Sequence, residues 1–76
     1  MSYLVQSVLL KRNKFTKDEA FRWVKLHGYK HHKVDMTHDY YRFRQIDPEL
    51  LHLYYFRTIP LGDVGELIVA YSGKKE

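Results

Sequence analysis

Residues 15–29, FTKDEAFRWVKLHGY, constrain the fold most because they carry start and stop signals for a single helix. Thr16 and Glu19 have the T-x-x-E spacing of a capping box, in which each side chain binds the backbone N–H of the other residue. Gly28 is a typical left-handed helix end. The segment therefore predicts a helix over residues 17–27.

One side of this helix is apolar. Ala20, Trp23, Val24 and His27 recur at helical spacing and form the stripe that we expect to be buried. Phe15 stands just before the cap, where it can pack against Ala20 as a hydrophobic staple. A helix with one apolar stripe needs another element to cover it.

The other apolar runs of the chain have the composition of strands. They span residues 3–10, 30–36, 40–46, 54–61 and 66–71. In the first and last runs both alternating sets are largely apolar, so we expect these strands in central positions. The Asp-Pro pair at Asp47 and Pro48 is a turn signature, and it predicts one helical turn or an irregular loop over residues 47–53.

This order predicts an α+β fold, with one helix on one face of a mainly antiparallel four- to five-stranded sheet in the order β-α-β-β-β-β. A chain of 76 residues accommodates a single compact domain, residues 1–76, and we expect residues 72–76 to be a flexible tail. Without cysteine there is no disulfide and no thiolate zinc site. An apolar N-terminal run followed by positive charge is the reverse of a secretory signal, so we expect a protein that is not secreted and has no membrane partner.

No motif for catalysis stands out. His31 and His32 are adjacent and point to opposite faces of a strand, and Gly28 interrupts the helix that could align His27 with His31. No serine or threonine stands in a nucleophile motif, and the GDVG segment at residues 62–65 is not a phosphate loop leading into a helix. We therefore predict a non-enzymatic protein without a metal or cofactor.

The charge balance leaves two interpretations open. Thirteen Lys and Arg residues against nine Asp and Glu give a net charge of +4 and a pI near 9.4. This balance suits an anionic partner such as nucleic acid or an acidic protein surface. It also lies within the range of about 2–8 that ordinary solubility requires of a small domain.

Alternation along two aromatic and basic strands defines the candidate binding residues. It places Tyr41 and Phe43 on one face of the 40–46 strand and predicts them as core. If the 54–61 strand is a neighbour, Phe56 meets Phe43 under the helix. The open face then carries the candidate site for protein or nucleic acid, formed by Tyr40, Arg42, Arg44, Tyr55 and Arg57.

Two explanations fit such a surface. Aromatic rings that stack bases and arginines that neutralise phosphates are the chemistry of single-stranded nucleic-acid binding. Tyr and Arg are also favoured cross-strand neighbours on any exposed sheet.

Several short motifs resemble a small domain of tailed-phage head-morphogenesis and prohead-protease-like proteins, also found as stand-alone proteins of large DNA viruses. They are VQSV in the first strand, FT and the tryptophan in the helix, HGYK, KVD, YYRFRQ with the following proline, FRTI, and the apolar strand that begins at Gly65. The resemblance covers nearly the whole chain. It implies a compact non-enzymatic module of viral or phage origin and carries no catalytic residues.

The residues and the resemblance together leave three functions open. The first is an interaction module that associates with virion structure or assembly through contacts with a viral protein, with possible self-association. The second is a basic nucleic-acid-binding protein, and the third is an inhibitor of a host protein. The resemblance favours the first, with the protein located in the virion or in the host cytoplasm or nucleus.

Overall fold

The computed structural model describes residues 3–71, apart from the side chain of Pro48, so the predicted tail at residues 72–76 lies outside the described residues. In chain order, the elements are β1 (Tyr3–Lys11), α1 (Lys17–Leu26), β2 (Val34–Met36), β3 (Tyr40–Arg44), a 3-10 helix (Pro48–Leu51), β4 (Tyr55–Pro60) and β5 (Gly65–Tyr71). No helix in this part of the chain is long and apolar enough to cross a membrane.

The five strands form one sheet in the order β2-β3-β1-β5-β4, and each neighbouring pair is antiparallel. The predicted α+β fold is confirmed. The predicted central placement of the first and last strands is also confirmed, because β1 lies in the middle and β5 lies beside it. The edges of the sheet are β2, which has three residues, and β4, which has six.

Both capping signals form as the sequence predicts. The Glu19 N–H donates to Thr16 Oγ1 at 3.2 Å, and the Thr16 N–H donates to Glu19 Oε1 at 2.9 Å. Gly28 has a φ of 79°, and the Tyr29 N–H donates to the Val24 carbonyl at 3.0 Å, which ends the helix. These bonds pair backbone groups that a helix end otherwise leaves free.

The core lies between α1 and the side of the sheet that we call the helix side; the opposite side is the open side. The buried residues of this core are Val8, Leu10, Ala20, Val24, Tyr41 and Phe43. The prediction that Tyr41 and Phe43 are core residues is confirmed. His27 was expected in the buried stripe but is exposed, because it is the C-terminal cap residue and its ring stacks on Trp23 with centroids 3.8 Å apart.

The strand predicted over residues 30–36 is shorter in the structure. The Lys30 N–H donates to Gln45 Oε1 at 2.8 Å, and Gln45 Nε2 donates to the Lys30 carbonyl at 2.9 Å. The side-chain amide of Gln45 thus takes the place of a strand partner at Lys30, and pairing with β3 begins only at Val34. Of the two predictions for residues 47–53, the helical turn is the one that forms.

Two buried polar residues attach the end of β3 to the centre of the sheet. At an irregularity in the pairing of β1, Gln6 Nε2 donates to the Ile46 carbonyl at 2.7 Å. Ser7 Oγ donates to Gln6 Oε1 at 2.8 Å, and the Gln45 N–H donates to the Gln6 carbonyl at 2.8 Å. These bonds satisfy polar groups that would otherwise be costly to bury.

Candidate interaction surface

The structure separates the two strands that carry the predicted site. β3 and β4 lie on opposite sides of the sheet centre, with β1 and β5 between them. The possibility that β3 and β4 are neighbouring strands, considered from the sequence, is therefore wrong, and Phe43 does not meet Phe56. The physical reason is that the apolar strand β5 takes the buried place beside β1, which leaves β4 at the edge.

The strand register also divides the predicted residues between the two sides of the sheet. Phe43 pairs with Val8, and Val8 pairs with Leu67, so all three face the helix side. Val69 follows Leu67 by two positions and pairs with Arg57. Arg57 therefore lies on the helix side, because paired residues share a face and a strand alternates with a period of two. Tyr55 lies there too, two residues before Arg57.

Arg42 and Arg44 lie on the open side and are bound by groups of the same chain. Arg42 Nε donates to Ser7 Oγ at 3.3 Å. Arg44 Nη2 lies 2.8 Å from Asp35 Oδ2, and its Nη1 lies 3.9 Å from Asp47 Oδ1. The two carboxylates offset the charge that Arg44 could present to an anionic partner.

Tyr40 is the third predicted residue on the open side. Its hydroxyl donates to Glu66 Oε2 at 3.5 Å, across β1. Partial burial and, after it, the negative charge of Glu66 raise the pKa of Tyr40 above its ordinary value. Tyr40, Arg42 and Arg44 are thus each hydrogen-bonded to another side chain of the protein, and their role in binding a partner stays a prediction.

β4 presents a different kind of surface. All six of its residues are exposed, including Tyr55 at 47%, Phe56 at 46% and Ile59 at 38%. Within residues 3–71, no acidic side chain forms an ion pair with Arg57. We use the term β4 surface for Tyr55, Phe56, Arg57 and Ile59 together with the outer backbone edge of this strand.

The backbone edge of β4 has a defined pattern of free groups. The Leu61 N–H donates to the Gly65 carbonyl at 2.8 Å, so Leu61 and the residues at steps of two before it point their N–H and C=O groups towards β5. Phe56 and Thr58 then point theirs outward. Pro60 also falls on an outward position, where its missing N–H removes no bond to β5.

Strand alternation alone did not identify Phe56 and Ile59 as exposed residues. Large apolar side chains on both faces of a strand usually indicate a buried strand. The sequence signal for the edge is Pro60, which indicates that this strand ends there or lies at an edge, because proline within a sheet is confined to edge strands, strand ends and bulges.

Two open clefts lie away from β4. One, of about 710 Å³, lies between the turn after β1 and the turn between β2 and β3, and its lining includes Arg12 and His38. The other, of about 340 Å³, is lined by Lys30, Lys33 and Asp47 among others. Neither lining contains a serine, threonine or cysteine. Within residues 3–71, no three His, Cys, Asp or Glu side chains group as metal ligands would.

Among known proteins, no family model, no curated protein and no solved structure matches this chain.

Proposed function

We propose that this chain is a small, non-enzymatic viral or phage interaction module that takes part in virion structure or assembly by binding protein through the β4 surface. The observation that supports the binding mode is the exposure of the whole of β4, with its outward backbone groups unpaired within the described sheet. The viral and virion part of the proposal rests on the sequence resemblance.

Edge strands bind protein in a well-understood way. An added strand gains main-chain hydrogen bonds from the edge, and its alternate side chains pack on the faces of the extended sheet. At β4 those side chains would meet Tyr55 and Ile59 on one face and Phe56 on the other. Exposed aromatic residues of this kind are enriched at protein interfaces.

Photocrosslinking in the virus or phage that encodes the chain tests the proposal. Benzoylphenylalanine in place of Phe56 should give covalent adducts with protein, and the same group in place of Arg42, on β3 and on the open side, is the matched control. We expect adducts from position 56 in purified particles and few from position 42. Particles that lack the chain, or equal adducts from both positions, would contradict the proposal.

A second candidate function, binding of single-stranded nucleic acid, is favoured by one observation. Tyr55 and Arg57 lie on the same side of β4, both exposed, so a base could stack on the ring while the guanidinium contacts a phosphate.

The salt dependence of binding tests this second candidate. For a single-stranded oligonucleotide, log K should fall against log salt with a slope of about −0.7 for each neutralised phosphate. Arg57→Ala should reduce the slope by about that amount, whereas Arg44→Ala should change it less, because Arg44 is paired with Asp35. Absence of binding at low salt removes this candidate.

A further inference from the structure

Three tyrosines stand side by side across β1, β5 and β4. Tyr3 pairs with Tyr71, and Tyr71 pairs with Tyr55. Paired residues share a face, so all three side chains lie on the helix side of the sheet, where the register already places Tyr55. Because neighbouring strands are about 4.8 Å apart, the three residues span about 10 Å across the sheet. We use the term tyrosine row for Tyr3, Tyr55 and Tyr71.

The rings of the tyrosine row are accessible to a ligand. Tyr3 is 61% exposed and Tyr55 is 47% exposed, while Tyr71 between them is half-buried. The ring centroids of Tyr55 and Tyr71 are 5.8 Å apart, and the two ring planes are tilted by 45°. The rings therefore do not lie flat on each other, unlike those of Trp23 and His27, whose centroids are 3.8 Å apart. Ring faces that are not covered in this way can stack on a planar group of a ligand.

The charge on this face of the sheet favours an anionic ligand. Among the residues of the five described strands, the acidic ones are Asp35 and Glu66, and the register places both on the open side with Arg42. The one charged strand residue on the helix side is Arg57, which lies two positions after Tyr55, about 7 Å along β4. A negatively charged group that approaches the tyrosine row therefore meets a guanidinium and no carboxylate from the strands beneath it.

Aromatic rings beside a cation match the chemistry of single-stranded nucleic acid. Its unpaired bases have planar faces that stack on aromatic side chains, and its phosphates bind arginine. In a duplex the base faces are covered by the neighbouring base pairs. A neutral sugar chain also stacks on aromatic rings, but its hydroxyl groups are usually bound by carboxylate side chains, which the helix side of the strands lacks. The face therefore suits a single-stranded nucleic acid better than a duplex or a sugar.

We infer that the tyrosine row is a stacking platform for two or three successive bases of a single-stranded nucleic acid, with Arg57 bound to an adjacent phosphate. The inference extends the second candidate function from Tyr55 and Arg57 to Tyr3 and Tyr71. It goes beyond the proposed protein binding at the edge of β4 and does not depend on it, because the row lies on a face of the sheet. Stacking and phosphate contacts do not involve the 2′-hydroxyl, so the platform accepts DNA and RNA alike.

A strand without bases separates stacking from charge. Fluorescence anisotropy with the purified chain compares a labelled oligothymidylate with an abasic oligonucleotide of the same length, which has the same phosphates. The oligothymidylate should bind more tightly by about fivefold or more, because only its bases can stack on the tyrosines. An oligouridylate of that length should bind about as tightly as the oligothymidylate.

Substitutions in the row test which rings are used. Tyr3→Leu removes a ring at an exposed position and should weaken binding of the oligothymidylate by about fivefold or more. Its salt slope should stay that of the wild type, because no phosphate contact is lost, whereas Arg57→Ala should reduce the slope by about 0.7. Tyr3→Phe keeps the ring and should keep the affinity.

Phe56→Leu is the matched control for Tyr3→Leu. Phe56 is 46% exposed and adjacent to Tyr55, but it points to the open side of the sheet. Its replacement should therefore leave the affinity for the oligothymidylate unchanged.

Several outcomes would overturn the inference. Equal affinities for the abasic strand and the oligothymidylate would do so, as would a Phe56→Leu variant that weakens binding as much as Tyr3→Leu does. A chain that binds no oligonucleotide at low salt also overturns it, including one that binds a neutral oligosaccharide such as maltohexaose instead. None of these results affects the proposed function, which depends on protein adducts from position 56 in particles.

Discussion

At the scale of single residues, Tyr40 and Glu66 show how the open side is held together. They lie on strands separated by β1, and the hydroxyl–carboxylate bond of 3.5 Å reaches across that central strand. The neutral phenol is the donor in this bond, so the contact favours the protonated form of Tyr40. The pKa of Tyr40 is raised, as this bond to Glu66 would raise it, but partial burial of the phenol is the larger cause.

Replacement of the carboxylate should therefore lower the pKa of Tyr40. In Glu66→Gln we expect this pKa to move back towards about 10, because the negative charge and the acceptor that favour the phenol are both lost. Titration of the labelled tyrosine Cζ by NMR resolves Tyr40 from the other tyrosines. Glu49→Gln is the control and should leave the Tyr40 signal unchanged. Equal titration curves in wild type and Glu66→Gln would contradict the assignment.

The raised pKa also sets the direction of a stability change with pH. The folded state holds the Tyr40 proton more tightly than the unfolded chain does. The contribution of protonated Tyr40 to the free energy of unfolding is therefore fully present below the unfolded pKa of about 10. It is lost as the pH rises through the folded pKa. Urea denaturation between about pH 9 and about pH 11, which brackets the unfolded value, should show a smaller alkaline loss of stability in Glu66→Gln than in wild type.

Gly65 and Gly62 give a second prediction at this scale. A Cβ at Gly65 would lie 1.9 Å from the Leu9 carbonyl oxygen, whereas a Cβ at Gly62 meets nothing within 4 Å. Gly65→Ala must therefore displace the backbone of β1 or β5, and we expect it to destabilise the fold by several kcal/mol. Gly62→Ala introduces only backbone strain, because residue 62 has a φ of 72°, and we expect it to lower the free energy of unfolding by about 1–2 kcal/mol. Thermal denaturation of the two variants compares them, and equal melting temperatures would contradict the described approach of the strands.

At the scale of elements, α1 was predictable because its signals are local. The capping box, the apolar stripe and Gly28 all lie within one continuous segment, and each acts on neighbours a few residues away. β2 was predicted too long because Gln45, which pairs with Lys30, lies outside the segment from which that strand was predicted. Contacts between distant side chains and backbone leave no local pattern in the sequence.

Removal of the helix cap should have a measurable effect. Thr16→Ala leaves the Glu19 N–H without its side-chain acceptor, and we expect a loss of about 1 kcal/mol in the free energy of unfolding. Lys17→Ala, one position further on at an exposed site, is the matched control and should change stability by less than about 0.5 kcal/mol. Chemical denaturation followed by circular dichroism measures both. A Thr16→Ala variant as stable as the control would show that the cap is not a stabilising feature.

At the scale of the whole molecule, the sheet is buried unevenly, and two phenylalanines on different strands show the difference. Phe43 is 0% exposed, whereas Phe56 is 46% exposed on the edge strand. Phe43→Ala should destabilise the domain by about 3–5 kcal/mol, a large part of the stability of a small domain. Phe56→Ala should alter the free energy of unfolding by much less.

Urea denaturation at low protein concentration makes this comparison, because dilution keeps any contribution from self-association out of the measurement. Similar losses in the two variants would contradict the described difference in burial.

The candidate site shows where prediction from sequence ends. Alternation assigned the side chains of β3 to the two faces, and Tyr41 and Phe43 are indeed buried while Arg42 and Arg44 are on the open side. The strand order was not accessible, because Tyr55 and Arg57 alternate equally well whichever strand lies beside them. The pairing of β1 with β5 is a long-range choice, and it decides that these two residues face the helix side at the far edge.

The position of β1 between β3 and β5 has a consequence for synthesis of the protein. β1 leaves the ribosome before β5, which is one of its two neighbours in the sheet and ends at Tyr71. Nascent chains that stop before Gly65 leave one edge of β1 exposed, with Val5 and Val8 lacking their partners. Completion of the sheet centre therefore waits for β5, and such unfinished chains are open to aggregation or to binding by a chaperone.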